Sequence, residues 1–301
     1  MISAVVHTFN EEKNIKRCLS SLQWVDEIIL VDMGSTDQTC QVAKEYKVKI
    51  FHHEYIGFVE PARNFGISKA TNDWILIVDA DEEIPKTLAD YLKKETKNPR
   101  GDFYRIARKN IIFDKWIKHT GWWPDYQVRF FKKGTVSWTE KIHGVPLTIG
   151  EGIDVETYED LSIVHYNYPS IEKYLERLNR YTSITAKELF LSNIQFSSRD
   201  LLEKPTKEFI NRYFVWDGYK DGLHGLVLSL VQSFSELVTY VKLWELNNFK
   251  EEKIPLEKTE LYLDKDYQLK KYWLLDTLLR NPHSFFQGLF WKIRKRFYHH
   301  E

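Results

Sequence analysis

The chain has 301 residues, and its 43 Lys and Arg balance its 43 Asp and Glu, so the formal net charge is zero. This balance argues against a nucleic-acid-binding protein, which usually carries a clear basic excess. With 43% hydrophobic and 29% charged residues, the composition is that of a globular protein and not of a disordered chain.

Four apolar segments in the N-terminal third have the length and composition of buried strands: residues 2–7, 27–32, 47–53 and 73–78. Helical patterns follow them, the first with Asn10 as its predicted N-cap and the last from Pro85 onward. Near-continuous apolar strands that alternate with helices predict a parallel sheet covered on both faces, which is a doubly wound α/β domain. Ligands of such domains bind beyond the carboxyl ends of the strands.

Polar clusters occur at these strand ends: Thr8–Glu11 after the first strand, Asp32 at the end of the second, and Asp79 with Asp81 after the fourth. Residues i and i+2 of an extended segment point the same way, so the last two carboxylates should face each other. They would repel unless a cation lay between them, and a hard ion such as Mg²⁺ or Mn²⁺, completed by substrate phosphates, suits such a pair. The metal would neutralise a diphosphate leaving group. The alternative is that the pair caps the helix starting near Pro85.

The pattern changes after residue 101 to short mixed strands with aromatic loops, and from Ser170 onward the chain is mostly helical. Residues 223–244 are amphipathic and are not expected to span a membrane. Packing against the α/β domain or a partner subunit is favoured, with lipid contact as the alternative. Residues 247–266 are charge-rich and are predicted as a linker or an exposed loop. Residues 285–298 combine aromatic and basic side chains at helical spacing, which favours an interfacial helix on anionic lipid, with a packing or dimerisation helix as the alternative.

The two cysteines, Cys18 and Cys40, provide no disulfide framework, and no signal peptide is visible. We therefore expect a cytoplasmic protein, located at the inner face of the cell membrane where residues 285–298 contact lipid. Aromatic residues make up 15% of the chain. We expect those within 113–131 to stack on a carbohydrate ring and those within 285–298 to contact a membrane surface.

Four segments carry a resemblance to a known family: VVHTFNEEKNIKRCLSSL (5–22), EIILVDMGSTDQT (27–39), ARNFGISKATNDWILIVDADEEIP (62–85) and the WWPDYQVRFF region (122–131). With them the chain resembles the family-2 inverting glycosyltransferases of the GT-A fold. Two further segments, HYNYPSIEKYLERLNRYTSITAKEL (165–189) and DGYKDGLHGLVLSLVQSFSELVTYVKLWE (217–245), make it most similar to the lipopolysaccharide-core and related cell-envelope glucosyltransferases. The resemblance implies a GT-A catalytic domain with a Rossmann-like, doubly wound mixed sheet over residues 1–168. We expect a helical extension over 169–246 that packs on the catalytic domain. Beyond the part that the resemblance covers, we expect a linker and amphipathic basic-aromatic helices over 247–301.

The resemblance also implies roles for individual residues of a nucleotide-sugar site. It assigns base and ribose contacts to Thr8, Asn10, Glu11 and Asp32, diphosphate contacts to Arg63 and Asn64, and the metal motif to Asp79 and Asp81, with Asp81 as the direct ligand. The residue types agree, because a carboxylate suits ribose hydroxyls or the uracil N–H, and a guanidinium suits phosphate. His165 matches a recurring histidine of the subgroup. It would be a further ligand of the Mn²⁺ or Mg²⁺ cofactor or a contact of the diphosphate, and the alternative is a purely structural histidine.

The resemblance identifies the catalytic base less directly than the nucleotide and metal contacts. Inversion requires a carboxylate that takes the proton of the acceptor hydroxyl. The subgroup often has a His-Glu pair where this chain has His143-Gly144, so that role does not transfer. Asp125 is the first candidate, because desolvation among aromatic neighbours would raise its pKa, and a simple turn residue is its alternative reading. Glu140 is the second candidate.

Together these features predict an inverting glycosyltransferase that moves a hexose from a nucleotide-diphosphate sugar, and we expect this donor to be a UDP-sugar. The acceptor would be a hydroxyl of a cell-envelope glycan or of a lipid-linked molecule. The alternative is a non-catalytic nucleotide-sugar- or glycan-binding protein of the same fold, since the glutamate is missing at Gly144. A nucleotidyltransferase fits poorly, because Thr8–Glu11 stand where such enzymes usually have a Gly-rich basic loop. No nucleic-acid partner is expected, and the sequence is compatible with an oligomer.

Overall fold

A computed structural model describes residues 1–54, 59–139, 146–281 and 284–298 of the chain. The chain divides into two compact units. The sheet unit comprises Met1–Trp116 and Trp122–Asn167, and the helical unit comprises Ile117–Gly121 and Tyr168–Glu301. All residues predicted to contact nucleotide, diphosphate or metal belong to the sheet unit.

The sheet unit is built on one large sheet with flanking helices. Its strands are β1 (Ile2–Thr8), β2 (Glu27–Asp32), β3 (Lys49–His52), β4 (Trp74–Asp79), β5 (Glu82–Glu83), β6 (Phe103–Ile112), β7 (Lys115–Trp116), β8 (Asp125–Lys132), β9 (Val136–Ser137), β10 (Leu147–Thr148), β11 (Gly152–Asp154) and β12 (Ile163–Tyr168, whose last residue groups with the helical unit). Its helices are α1 (Ile15–Ser21), α2 (Thr39–Ala43), α3 (Glu60–Lys69) and α4 (Lys86–Lys97), with a 3-10 helix at Glu159–Leu161. The strand order is β3-β2-β1-β4-β8-β6-β12-β5, with β7 and β11 paired to β6, while β9 and β10 pair separately.

The first four strands form the parallel half of the sheet. Val5 of β1 pairs with Ile29 of β2 and with Ile77 of β4. Every residue of β1 is buried, because successive side chains point to opposite faces and helices cover both. Val6 packs in the core with α1, α2 and α4, whereas Val5 packs in the core with α3. The predicted doubly wound α/β arrangement is confirmed for this half.

The second half of the sheet is antiparallel. Ile75 of β4 faces Phe131 of β8, and β8 in turn runs antiparallel to β6. Aromatic side chains join these strands: the rings of Trp74 and Phe130 stack at 4.8 Å between centroids, and Tyr104 packs against both. Apolar runs alone predict a parallel sheet, but the sheet is mixed, which confirms the GT-A arrangement that the resemblance implies.

The first helix begins later than predicted. Asn10 has a φ of 55°, which is left-handed backbone and not an N-cap conformation. Its Oδ1 accepts a hydrogen bond from the backbone N–H of Thr36 at 2.8 Å. Helix α1 begins at Ile15, with Asn14 in the N-cap position. Asn10 therefore joins the loops that follow β1 and β2 and caps no helix.

The helical unit contains α5 (Ile171–Leu191), α6 (Asp200–Ile210), α7 (Leu223–Leu246), α8 (Leu256–Arg280) and α9 (Phe285–Lys295), with a π-helical segment at Asn211–Val215 and a 3-10 helix at Gly218–Asp221. The predicted linker over residues 247–266 is wrong in its second half, because α8 begins at Leu256. Among the residues of α8 only Leu275 and Thr277 are buried. The charge-rich composition therefore marks a largely exposed helix and not a segment without regular structure.

Helix α7 packs against α5 and α6 within the helical unit. By length and composition alone it could cross a membrane, with a mean hydropathy of 1.3 in its most apolar window, whereas the sequence analysis expected no spanning helix. Core helices of water-soluble proteins satisfy the same criterion. The buried positions Leu228, Tyr240 and Leu243 lie along this helix and account for part of its apolar character.

Candidate active site

Charged side chains from four elements meet at the carboxyl end of β4. Arg63 of α3, Asp79 of β4, Glu82 of β5 and Arg129 of β8 form what we call the buried charge cluster. Arg63 Nη2 donates to Asp79 Oδ1 at 3.0 Å, and Arg129 Nη2 donates to Asp79 and to Glu82 Oε1, the latter at 2.7 Å. The backbone N–H of Asp79 donates to Glu82 Oε2 at 2.9 Å. Two guanidinium groups thus lie against two carboxyl groups in a site largely shielded from water.

The charges of this cluster set its protonation. Burial alone would raise the pKa of Asp79, but the attraction of Arg129 and Arg63 outweighs it and holds that pKa well below its usual range. Burial raises the pKa of Glu82, and repulsion from Asp79 acts in the same direction. The sequence analysis expected a metal ion as the positive partner of Asp79. Arginines contributed by α3 and β8 lie against Asp79 in this structure, and a metal contact of Asp79 stays a prediction.

His7 lies beside the cluster on β1, paired in register with Asp79. Burial and the charge of Arg63 lower the pKa of His7 to about 3, so the ring is neutral near pH 7. Its Nε2 lies 3.2 Å from the carbonyl oxygen of Ala62, which can only accept, so Nε2 carries the hydrogen. A Cβ on Gly66 would lie 3.3 Å from the same Nε2. The missing side chain lets α3 approach β1 closely, and this approach brings Arg63 to Asp79.

A second polar group surrounds Asp81. His165 of β12 places Nε2 3.4 Å from Oδ2 of Asp81, and its Nδ1 lies 2.6 Å from Oδ1 of Asn110. The antiparallel pairing of β12 with β5 sets His165 opposite Glu82, one residue from Asp81. His165 and Asn110 are buried, while the Asp81 side chain keeps 14% of its surface exposed. The sheet therefore brings two of the three predicted metal residues together.

Asp125 is the first residue of β8 and has several hydrogen-bond partners. Arg108 donates to it from Nε at 2.8 Å and from Nη2 at 2.6 Å, and the side-chain amides of Gln127 and Asn110 donate at 2.8 and 3.2 Å. Burial favours the neutral acid, but Arg108 and these hydrogen bonds outweigh it, so the pKa of Asp125 is lowered. The predicted rise of this pKa is wrong, because a guanidinium from the neighbouring strand compensates the charge.

The loops after β1 and β2 contain the predicted nucleotide contacts. Thr8 is buried, and its Oγ1 has no hydrogen-bond partner among the residues that the structure describes. Asp32 accepts hydrogen bonds from the backbone N–H of Ser35 at 3.1 Å and from the ring of His52 at 3.2 Å. Burial opposes its ionisation, but these hydrogen bonds lower the pKa of Asp32. Both strand ends therefore present oxygen atoms to the same region, one of them anionic.

Two further predicted contacts use their side chains inside the protein. Asn64 donates from Nδ2 to the carbonyl oxygen of Trp138 at 2.7 Å and accepts at Oδ1 from the N–H of the same residue at 2.9 Å. The carboxylate of Glu11 accepts at 2.7 Å from the side chain of the N-cap residue of α1. Asn64 thus fixes the segment just before Glu140, the second predicted base, which lies outside the described residues.

Four residues of this region were not identified in the sequence: Glu82, Arg108, Asn110 and Arg129. The burial of Arg129 could have been predicted, because this residue stands between Val128 and Phe130 in an apolar strand, where a buried charge needs a charged partner. The burial of Glu82 could not have been predicted, because an acidic residue between Asp81 and the start of a helix is common on protein surfaces. Its burial depends on the pairing of β5 with β12, which no local pattern reveals.

The donor pair of Asp81 and His165 fits a divalent cation by chemistry. A carboxylate oxygen and an imidazole nitrogen 3.4 Å apart can both contact one ion whose bonds are about 2.1 Å long. Over residues 1–54, 59–139, 146–281 and 284–298, no group of three His, Cys, Asp or Glu side chains comes together as a metal site. An ion bound here would therefore take its remaining ligands from substrate phosphates and water.

Comparison with known proteins gives the following similarities. The sequence model described as glycosyl transferase family 2 matches residues 3–149. An uncharacterized glycosyltransferase of Rickettsia typhi is 28% identical over 256 residues, which cover 82% of this chain and 87% of that protein. The lipopolysaccharide core biosynthesis glycosyltransferase LpsC of Rhizobium meliloti is 22% identical over 83% of this chain and 94% of its own length. Among solved structures, S. aureus TarS 1-349 aligns at a TM-score of 0.42 and 16% identity, over 84% of this chain and 93% of its own.

Proposed function

Because this chain is a family-2 glycosyltransferase, we propose that it transfers a hexose, with inversion, from a UDP-linked sugar to a hydroxyl group of a cell-envelope glycan or lipid-linked acceptor. The observation that carries the proposal is the Asp81–His165 pair beside the buried charge cluster at the carboxyl end of β4. Similarity to a lipopolysaccharide core biosynthesis glycosyltransferase supports an envelope acceptor. The alternative, a non-catalytic binding protein, is less consistent with relatives that are named as glycosyltransferases.

The nucleotide would bind in the loops after β1 and β2. Thr8 offers a buried hydroxyl whose Oγ1 has no partner among the described residues, and Asn10 and Glu11 follow it in the chain. Asp32 stays ionised because its pKa is lowered, which suits it to accept from ribose hydroxyls or from the N–H of uracil. Arg63, held against Asp79, contributes positive charge near the expected diphosphate.

Asp81 and His165 would hold a Mn²⁺ or Mg²⁺ ion, which supplies neutralisation of the charge on the departing diphosphate when it is bound. Arg63 and Arg129 hold the carboxylate of Asp79 in a single position. The exposed edge of Asp79, 24% of its side chain, is then available to a hydroxyl of the sugar or the ribose. Asn64 contributes indirectly, by fixing the backbone at Trp138.

A carboxylate must take the proton of the acceptor hydroxyl as its oxygen attacks the anomeric carbon. We propose Asp125 as the first candidate and Glu140 as the second. The lowered pKa keeps Asp125 ionised near neutral pH, so it can accept a proton there. The same hydrogen bonds reduce its basicity, so both carboxylates need to be tested.

The experiment that tests the proposal measures UDP release. The full chain is supplied with Mn²⁺ and each of a panel of nucleotide sugars, and one donor should be turned over. Asp81→Ala should lower that turnover by about 100-fold or more, because the charge of the leaving diphosphate is no longer neutralised. Asp90→Ala, at an exposed position of α4, is the matched control and should retain wild-type turnover.

Near-normal turnover by Asp81→Ala would contradict the metal assignment. A wild-type chain that binds UDP but releases none from any donor would favour the non-catalytic alternative. These two results are distinct, because the first retains transferase activity and the second does not.

A further inference from the structure

We infer that Asn110 is a positioning residue, which fixes the tautomer of His165 so that the unprotonated ring nitrogen faces Asp81. Asn110 lies on β6, and its side chain is completely buried. It connects His165 to Asp125 through hydrogen bonds at both ends of its amide. The effect on metal binding rests on the proposed function, whereas the tautomer does not.

The amide of Asn110 has one orientation that satisfies its neighbours. Its Nδ2 lies 2.9 Å from the carbonyl oxygen of Trp122 and 3.2 Å from Oδ2 of Asp125. The first atom can only accept a hydrogen bond, and the second belongs to a carboxylate whose pKa is lowered, so the NH₂ group must face both. A flipped amide would set its oxygen against two other oxygens and lose both hydrogen bonds in a buried place.

This orientation determines the tautomer of His165. The amide oxygen of Asn110 faces Nδ1 of the ring at 2.6 Å, and because an amide oxygen only accepts, Nδ1 must carry the hydrogen. In the neutral ring Nε2 then has a lone pair and no hydrogen. That lone pair lies 3.4 Å from Oδ2 of Asp81. Two electron-rich atoms that face each other at this distance form a site for a shared cation.

The arrangement follows the general pattern of metal-binding histidines. Such a histidine usually donates its second N–H to an oxygen that sets the tautomer, and loss of this partner weakens metal binding by about 10- to 100-fold. In this protein the oxygen that accepts the second N–H of the histidine belongs to Asn110. Through its own N–H it also holds Asp125, so the metal ligand His165 and the first candidate base are aligned by one buried side chain.

Nitrogen NMR tests the tautomer directly in the metal-free full chain with ¹⁵N only in histidine. The signals of His165 are identified by their loss in His165→Gln. In the wild-type protein, at a pH high enough that the ring is neutral, they should show a protonated Nδ1 and an unprotonated Nε2. In Asn110→Leu the hydrogen should move to Nε2, where the carboxylate of Asp81 can accept it. A neutral ring protonated at Nε2 in the wild type, or an unchanged neutral ring in Asn110→Leu, would overturn the inference.

A Mn²⁺ titration of the UDP-bound chain, followed by electron paramagnetic resonance, tests the consequence. Asn110→Leu should weaken Mn²⁺ binding by about 10- to 100-fold. Asn110→Asp should retain part of the affinity, because one carboxyl oxygen still accepts from Nδ1 of His165 while the other, protonated, donates to the carbonyl oxygen of Trp122. Asn72→Leu replaces another buried asparagine of the sheet unit and should leave the affinity unchanged.

Equal losses in Asn110→Leu and Asn110→Asp would indicate a merely structural role and overturn the inference. If Asn110→Leu does not fold, the wild-type spectrum and the Asn110→Asp titration still show whether Asn110 fixes the tautomer of His165. If the wild-type chain binds no Mn²⁺, the proposed metal is wrong, while the tautomer of His165 still decides whether Asn110 acts as inferred.

Discussion

Asp125 combines two properties with opposite consequences for a catalytic base. It is ionised and can accept a proton, yet Arg108, Gln127 and Asn110 already donate hydrogen bonds to it. If Asp125 is the base, Asp125→Asn should lower kcat for transfer by about 10²- to 10⁴-fold, because a general base contributes on this scale. Glu140→Gln is the comparison and should keep kcat near the wild-type value. The reverse result, measured by acceptor-dependent UDP release, would assign the role to Glu140.

His7 makes stability depend on pH. The pKa of His7 is about 3 in the folded chain, because burial and Arg63 disfavour the charged ring, whereas an unfolded histidine titrates near 6.5. As pH falls below 6.5 the unfolded chain binds a proton that the folded chain does not. The free energy of unfolding should therefore fall by up to about 1.4 kcal/mol per pH unit between pH 6.5 and pH 3. Above pH 6.5 this ring contributes no pH dependence.

Urea unfolding at several pH values measures this effect, with His7→Gln as the matched variant. Glutamine can still donate to the carbonyl oxygen of Ala62, but it does not titrate. The wild-type chain should lose stability more steeply than the variant as the pH decreases from 6.5. Parallel curves for the two proteins would show that His7 keeps an ordinary pKa in the fold.

At the scale of single residues, local sequence predicted the acids but not their partners. Asp79 and Asp32 end apolar strands and Asp81 lies in the turn after β4, so their positions follow from the order of strands and turns along the chain. Arg129 reaches Asp79 from 50 residues away, through the antiparallel pairing of β8 with β4. Because hydrophobic patterns do not encode which strands pair, the arginine partners of Asp79 could not be predicted.

Gly66 decides how closely α3 packs on the sheet. A Cβ at this position would lie 2.5 Å from Cγ1 of Val5 and 2.9 Å from Cγ2 of Val31, both in buried strands. Gly66→Ala should therefore lower the free energy of unfolding by about 1–3 kcal/mol, although alanine favours a helix by about 1 kcal/mol over glycine. The same displacement of α3 should weaken donor binding, because Arg63 lies on this helix.

Ser68→Ala, on the exposed side of α3, is the control for helix propensity and should be neutral or slightly stabilising. Val5→Ala combined with Gly66→Ala should recover part of the loss, since it removes the closest contact. A Gly66→Ala protein as stable as the wild type, measured by chemical denaturation, would show that the helix adjusts without cost.

At the scale of elements, periodicity predicted the parallel strands and the helices between them, and it placed both faces of β1 in the core. It misplaced the start of α1, because the hydrogen bond of Asn10 to the loop after β2 overrides its preference for a helix N-cap. It also missed the first half of α8. The charges there lie on a helix with few buried residues, so no apolar stripe marks it.

At the scale of the whole molecule, the helical unit includes a segment from the middle of the chain. The backbone N–H of His119 donates to Asp221 at 2.8 Å, and the N–H of Thr120 donates to the carbonyl oxygen of Trp216 at 3.0 Å. Residues 117–121 therefore group with a unit that otherwise begins at Tyr168. Contacts across about a hundred residues leave no local signature, which is why the sequence analysis placed this segment with the catalytic domain.

Helix α9 and the residues just after it present exposed aromatic and cationic side chains, although the whole chain has a net charge of zero. Phe286 and Phe290 are exposed by 80% and 55%, and exposed cationic side chains, Lys292 and Arg296 among them, lie near its C-terminal end. The helix is well defined, since Ser284 and Gln287 form a capping box at its start. Exposed aromatic side chains beside cationic ones are suited to the headgroup region of an anionic membrane, so we propose peripheral contact there.

Vesicle co-sedimentation of the full chain tests this contact. Phe286→Ser with Phe290→Ser should lower the affinity for vesicles that contain phosphatidylglycerol by about 10-fold or more, because burial of each aromatic ring contributes about 1.5–3 kcal/mol when complete. Lys292→Gln with Arg296→Gln should weaken binding to the same vesicles but not to neutral ones. Phe249→Ser removes an equally exposed ring elsewhere in the helical unit and should change nothing. Unchanged vesicle binding in the α9 variants, together with a shift from dimer to monomer in sedimentation, would instead assign these rings to a dimer interface.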